Sequence, residues 1–124
     1  ERNKEMKKIV LMLVALMSMT LSYAENENAN NTLGVEAYDM NVNMRKLAVT
    51  LGMTIDQMEA VEVIHRTFCA EMMFAAHANK DEREELVDKA VKKDVRYMGY
   101  VLDREQYRKY LILLNATLRN RGLK

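Results

Sequence analysis

From about Ala37 onward, hydrophobic and polar positions alternate with the period of an α-helix. Apolar residues recur three and four positions apart, which places them on one face of each predicted helix. The predicted helices run from about Ala37 to Leu51, Thr54 to Asn79, Asp81 to Gly99 and Arg104 to Asn120. Only a few residues separate them, so neighbouring helices must fold back on one another. The pattern therefore predicts an all-α fold, either a short antiparallel bundle or a bent helical hairpin of about four helices.

Two of the predicted helices begin with the same short motif. Thr54 is followed three residues later by Gln57, and Asp103 is followed three residues later by Gln106. In a capping box the side chain of the cap residue accepts a hydrogen bond from the backbone N–H at the third helical position. The glutamine at that position accepts a hydrogen bond from the backbone N–H of the cap residue. We therefore expect Thr54, Gln57, Asp103 and Gln106 to cap helix starts. Gly52 is expected to end the preceding helix in a left-handed conformation.

The N-terminal 24 residues have the pattern of a secretory signal peptide, with a short extension before Met6. Lys7 and Lys8 precede an almost wholly apolar stretch, residues 9–21, and Ala24 follows at the predicted cleavage position. The apolar stretch is shorter than the ~20 residues that a membrane-spanning helix needs. We expect a periplasmic or secreted protein without a permanent membrane anchor. Residues 25–36, polar and rich in asparagine, are predicted to form a flexible tail before one helical domain at 37–122.

Charge and cysteine content narrow the functional classes. Residues 1–24 hold four of the 19 basic and two of the 18 acidic residues, so the remaining chain has a net charge near −1. A nucleic-acid-binding protein would normally carry a basic excess, so no nucleic-acid partner is expected. Cys69 is the only cysteine, which excludes an intramolecular disulfide. In an oxidising compartment it is expected to be buried in a helix face, or reactive, or joined to a second chain in a disulfide-linked homodimer.

The paired helix starts, Met53 to Gln57 and Leu102 to Gln106, resemble the repeated Leu-Thr-x-x-Gln motif of the Spy/CpxP superfamily of periplasmic proteins. Met replaces Leu in the first copy and Asp replaces Thr in the second. The resemblance covers roughly residues 40–120. It implies a curved helical dimer that shields unfolded clients or senses envelope stress without catalysis. Metal-sensing relatives imply a divalent ion held by His, Glu and Met side chains of the long helix.

A stripe of potential metal ligands follows the second predicted helix. His65, Cys69, Met73 and His77 recur every four residues, and adjacent pairs in such a series can share one metal. Steps of four advance about 400° around the helix, so each ligand is displaced by about 40° from the previous one. The full set therefore cannot close around one ion without another helix or subunit. A partly buried helix face is the competing interpretation.

Aromatic and methionine side chains suggest where a protein partner would bind. Amphipathic rings and adaptable thioethers are common at contact surfaces. The candidate partner surface consists of Tyr97, Tyr100, Tyr107, Tyr110, Met72 and Met73. No nucleophile with an orienting base and no glycine-rich phosphate loop is recognisable, so we expect no enzyme activity and no cofactor. The sequence favours an exported, non-enzymatic helical binding protein for a partner or an unfolded client. A periplasmic metal-binding sensor or buffer and a structural dimerising protein are the alternatives.

Overall fold

The computed structural model describes residues 34–124, and every regular element within this range is helical. A 3-10 turn at Val35–Tyr38 precedes four α-helices: α1 (Met44–Leu51), α2 (Ile55–Ala76), α3 (Lys80–Val101) and α4 (Arg104–Asn120). The predicted all-α fold is thus confirmed, and α4 has the predicted bounds. The predicted signal peptide and most of the predicted tail lie outside the described residues. The last tail positions belong to the 3-10 turn.

The two longest helices, α2 and α3, form an antiparallel hairpin that contributes much of the core. Their apolar faces meet because both repeat buried residues every three or four positions. The buried apolar residues of the pair are Val61, Phe68, Met72, Ala75 and Ala76 on α2, and Val87, Ala90 and Met98 on α3. From α4, Leu113, Leu114 and Leu118 join the same cluster. This shared core fixes α2 against α3.

Two glycines end helices in the left-handed conformation that a side chain disfavours. Gly52 follows α1 with φ 72°, and Gly122 follows α4 with φ 76°. In each case the next residue donates its backbone N–H to a carbonyl five positions back, from Met53 to Ala48 at 2.9 Å and from Leu123 to Leu118 at 2.8 Å. The predicted C-cap role of Gly52 is confirmed.

Both predicted capping boxes are present. Thr54 Oγ1 accepts from the Gln57 backbone N–H at 3.1 Å, and Gln57 Oε1 accepts from the Thr54 N–H at 2.9 Å. Asp103 Oδ1 accepts from the Gln106 N–H at 2.8 Å, and Gln106 Oε1 accepts from the Asp103 N–H at 2.9 Å. These bonds satisfy donors that a helix start leaves without an intrahelical partner.

The two boxes also bind each other, so that α2 and α4 begin side by side. Gln57 Nε2 donates to Gln106 Oε1 at 2.7 Å, and Gln106 Nε2 donates to Gln57 Oε1 at 3.1 Å. Each amide donates its second proton to a backbone carbonyl. Gln57 Nε2 donates to Val101 at 3.1 Å, and Gln106 Nε2 donates to Gly52 at 2.9 Å. Each amide oxygen therefore accepts two hydrogen bonds and each amide nitrogen donates two. A glutamate could not replace either residue in full, because its carboxylate only accepts.

The segment before α1 fastens the hairpin to the end of α4. Met40 is buried, and its carbonyl accepts from His65 Nε2 on α2 at 2.7 Å. The Arg121 guanidinium, just after α4, donates through Nη1 to the carbonyl of Asp39. Residues 34–43 therefore contact both α2 and the C-terminal end of α4.

Predicted boundaries of α1, α2 and α3 were wrong, and α2 ends at Ala76 instead of Asn79. The first α-helix begins at Met44 instead of Ala37, because the Asn43 side chain accepts from the Lys46 N–H and caps it there. α3 begins at Lys80, one residue before the predicted Asp81. The cap position belongs to Asn79, which makes no side-chain capping bond.

Gly99 was expected to end α3, but the helix continues to Val101. A Cβ added at Gly99 would lie 3.3 Å from a ring carbon of Tyr107, so the glycine lets the α4 ring approach the α3 backbone closely. The Asp103 capping box that follows begins the next helix, and α3 ends immediately before it.

Replacing either glutamine by alanine should destabilise the protein by about 2–3 kcal/mol, because the remaining amide and two backbone groups lose their partners. The double substitution Gln57→Ala with Gln106→Ala should cost clearly less than the sum of the two single substitutions. Urea unfolding followed by circular dichroism measures the free energy of unfolding of the two single variants and the double variant. Glu105→Ala, an exposed change in the same turn, is the control and should stay within about 0.5 kcal/mol of wild type. Additive effects of the two glutamine changes would contradict the mutual contact.

Candidate functional site

A groove runs between α2 and α3 and is lined by residues of these two helices alone. We call it the α2–α3 groove. It contains two cavities, of about 300 Å³ and about 350 Å³, which share Glu71 and Lys93. The lining residues are Val63, Ile64, Thr67, Phe68, Glu71 and Phe74 of α2, and Leu86, Lys89, Ala90, Lys93, Asp94 and Tyr97 of α3. The other described elements leave this groove open.

One ion pair crosses the α2–α3 groove. Lys93 Nζ lies 2.8 Å from Glu71 Oε2, and both side chains remain partly exposed. The hydrogen bond to Glu71 raises the pKa of Lys93, so the lysine stays charged. An exposed pair of this kind adds little to stability. Its consequence is positional, because Glu71 and Lys93 form the boundary between the two cavities.

Large apolar side chains are exposed along the same groove. Phe74 is 68% exposed, and Val63 and Tyr97 are also exposed. Tyr100, 75% exposed, continues the row from Tyr97, and the two rings meet edge to face with centroids 6.0 Å apart. Isolated exposed apolar residues are ordinary, but a row beside a concave surface is typical of an interaction site.

One residue that lines the 300 Å³ cavity carries a buried carboxyl group. Asp94 lines this cavity yet is only 2% exposed. Its Oδ2 accepts from the hydroxyl of Tyr110 on α4, which is itself fully buried. Its Oδ1 is also buried and has no hydrogen-bond partner in the described part of the chain. The site therefore contains one satisfied and one unsatisfied carboxyl oxygen.

Burial raises the pKa of Asp94 from 3.8 to about 7. The hydrogen bond from Tyr110 partly opposes this shift, and the carboxylate of Glu71 adds to it. The pKa of Tyr110 is raised well above 10, first by burial and then by the charge of Asp94. Tyr110 therefore remains a hydroxyl donor, while Asp94 changes charge near neutral pH.

Cys69 is half-buried, and its thiol is not activated. Its pKa is raised from 9.0 to about 11, mainly by burial and in smaller part by the carboxylates of Asp39 and Asp94. Disulfide exchange needs the thiolate, which this environment disfavours. The intermolecular disulfide at Cys69 stays a prediction, with the local electrostatics against it.

The four residues of the predicted metal stripe, His65, Cys69, Met73 and His77, lie in different environments. His65 is buried and donates Nε2–H to Met40, which leaves Nδ1 without a partner inside the core. Burial lowers the pKa of His65. His77 is exposed at the end of α2 and donates from Nδ1 to the Met73 carbonyl at 2.9 Å. Among residues 34–124, no group of three or more His, Cys, Asp or Glu side chains could hold a metal.

The predicted partner surface needs correction. Tyr110 and Met72 are buried, because both lie on the core-facing stripe of their helices. Tyr107 is partly buried against Gly99, and Met73 is partly buried outside the groove lining. Tyr97 and Tyr100 are exposed, as a partner surface requires.

Sequence reasoning did not assign Phe74 and Val63 to a partner surface. Both are apolar residues on the otherwise polar side of α2, eleven positions apart. Apolar residues on a polar helix face are the signal that could have identified this surface. Asp94 was not expected to be buried, although Ala90 and Met98, four positions away on each side, place it on the core face of α3.

A second concave region lies between α3 and the C-terminus. This cavity of about 450 Å³ is lined in part by Lys80, Arg83 and Lys124, with Glu84 and Asp88 beside them. Charges of both signs therefore line it. It offers no buried unpaired carboxyl group and no row of exposed rings, so we consider the α2–α3 groove the better candidate.

Comparison of the chain with protein-family models, curated proteins and solved structures finds no match. The resemblance to the Spy/CpxP superfamily therefore stays a prediction from the two motifs. Within residues 34–124, no helix is long and apolar enough to cross a membrane.

The raised pKa of Asp94 should make stability fall as pH rises from about 4 to 7. In this range the folded protein retains a proton that the unfolded chain has lost, so raising the pH favours unfolding. Asp94→Asn removes this titration, so at pH 8 it should unfold at a higher temperature than wild type, with a stability gain of up to about 4 kcal/mol. At pH 4 the difference should be much smaller. Thermal melts of both proteins at pH 4 and pH 8 provide the test. An equal difference in melting temperature at the two pH values would contradict the raised pKa of Asp94.

The Cys69 thiol should react slowly with iodoacetamide at pH 8 in the folded protein. With a pKa near 11 instead of 9.0, the thiolate fraction is about a hundredfold lower than in an unperturbed cysteine. The rate should keep rising up to about pH 11. Mass spectrometry over a pH series measures it, with protein in denaturant as control. A folded-state rate that levels off near pH 9 would show that the thiol is unperturbed.

Proposed function

We propose that this chain is an exported, non-enzymatic helical binding protein. Its α2–α3 groove binds apolar segments of a protein partner or unfolded client. The observation that carries the proposal is the row of exposed Val63, Phe74 and Tyr97 beside two open cavities. The bacterial envelope as its location rests on the leader pattern of residues 1–24.

The dimensions of the groove support a side-chain-binding role. Cavities of about 300 and 350 Å³ are at the lower end of ligand pockets, which suits individual side chains of an extended or helical segment. Aromatic rings bury large apolar areas with little loss of side-chain entropy. Phe74 and Tyr97 would therefore contribute most of the contact energy, and the Glu71–Lys93 pair would separate successive apolar side chains.

The function is tested by an aggregation assay with a reduced, unfolded test protein. We expect the wild-type chain to delay aggregation at a few-fold molar excess. Phe74→Ser should weaken this protection about tenfold or more, because it removes roughly 1.5–3 kcal/mol of apolar contact. Val49→Ser is the matched control, since Val49 is also a strongly exposed apolar residue but belongs to α1, outside the groove.

Because Phe74 is exposed in the free protein, its replacement should leave the melting temperature nearly unchanged. Loss of protection with an unchanged melt assigns the effect to the groove. Absence of protection by wild type, or full protection by Phe74→Ser, would contradict the proposal.

A further inference from the structure

We propose that the cavity over Asp94 selects a lysine side chain in the bound segment, with the lysine ammonium donating to Asp94 Oδ1. This inference rests on the proposed function and names the chemistry that the α2–α3 groove prefers. An apolar segment that carries one lysine would be the favoured ligand.

The unsatisfied oxygen of Asp94 is the first reason. Buried carboxyl oxygens are almost always hydrogen-bonded, and one without a partner costs free energy until a donor arrives. Tyr110 occupies Oδ2, and Oδ1 has no partner among residues 34–124. The nearby Lys93 ammonium is held by Glu71 at 2.8 Å. An ammonium group on a ligand in this cavity would supply the missing donor.

Charge favours a cationic donor. The titratable groups around Asp94 are Glu71 and Cys69 on α2, Lys93 and Tyr97 on α3, and Tyr110 on α4. The raised pKa values of Cys69 and Tyr110 keep both groups protonated near pH 7, and the Glu71–Lys93 ion pair adds no net charge. Ionised Asp94 thus leaves the cavity with one negative charge, which one ammonium group would neutralise.

The lining of the cavity suits a lysine better than an arginine. Apolar contacts from Val63 and Ile64 match a four-carbon stem, and the rings of Phe68 and Tyr97 can attract a cation. A guanidinium binds a carboxylate best through both oxygens, but Tyr110 already occupies Oδ2. A single ammonium donor needs only the remaining oxygen.

The test uses calorimetric titration of the full chain with a twelve-residue peptide of Leu, Phe and Ser that contains one central lysine. A second peptide replaces that lysine with norleucine, which keeps the stem and removes the charge. A third replaces it with arginine. We expect about tenfold or greater loss of affinity for norleucine, as for a lost hydrogen bond to a charged group, and a smaller loss for arginine.

Two protein variants assign the effect. Asp94→Asn should bind the lysine and norleucine peptides with similar affinity, because it removes the carboxylate charge. Asp88→Asn, an exposed change on α3, is the matched control and should retain the full preference. Circular dichroism confirms that both variants are folded. If Asp94→Asn does not fold, the peptide comparison on wild type decides alone.

The outcomes separate this inference from the proposed function. Equal affinity of wild type for the lysine and norleucine peptides would overturn the lysine preference while leaving apolar binding in the groove intact. That outcome would also follow if a water molecule satisfied Oδ1. Loss of the preference in Asp88→Asn as well would equally contradict a role for Asp94. If no peptide binds and wild type also fails to delay aggregation, both the inference and the proposed function are wrong.

Discussion

The reciprocal amide contact between Gln57 and Gln106 is the constraint on which the arrangement of the helices depends. Each glutamine completes the cap of its own helix and donates to the other glutamine. The starts of α2 and α4 are therefore held together, and α3 connects the far end of α2 to the start of α4. Carbonyls of Gly52 and Val101 accept the remaining protons, which fixes the chain immediately before each motif.

This arrangement leaves the α2–α3 groove open. α4 reaches the hairpin through Tyr110 and Asp94, and the N-terminal segment reaches it through Met40 and His65. Neither α4 nor the N-terminal segment lines the groove. Asp94 connects the fold with the proposed function, since its Oδ2 accepts a hydrogen bond from Tyr110 of α4, its buried Oδ1 has no partner among residues 34–124, and the residue lines the groove. Retaining a buried carboxyl group costs stability, and a binding role would account for that cost.

The local parts of this structure were predictable and the tertiary contacts were not. Capping boxes, and the glycine cap at Gly52, depend on residues within a few positions, so the sequence pattern identified them correctly. A capping glutamine does not reveal which distant group its free amide protons will find, so the Gln57–Gln106 contact was not foreseen. For the same reason the hydrogen bond from His65 to the Met40 carbonyl was not predicted. Gly99 was misinterpreted because its role depends on the approach of Tyr107 from another helix.

Native-state hydrogen exchange measured by NMR can show whether the two capping boxes open as one unit. Backbone N–H groups at N-cap positions normally exchange quickly, because they lack intrahelical partners. Here the Thr54 and Asp103 N–H groups each donate to a glutamine oxygen. The account predicts that both exchange slowly, with the same opening free energy and the same response to low denaturant. Rapid exchange at either position, or independent opening of the two, would contradict it.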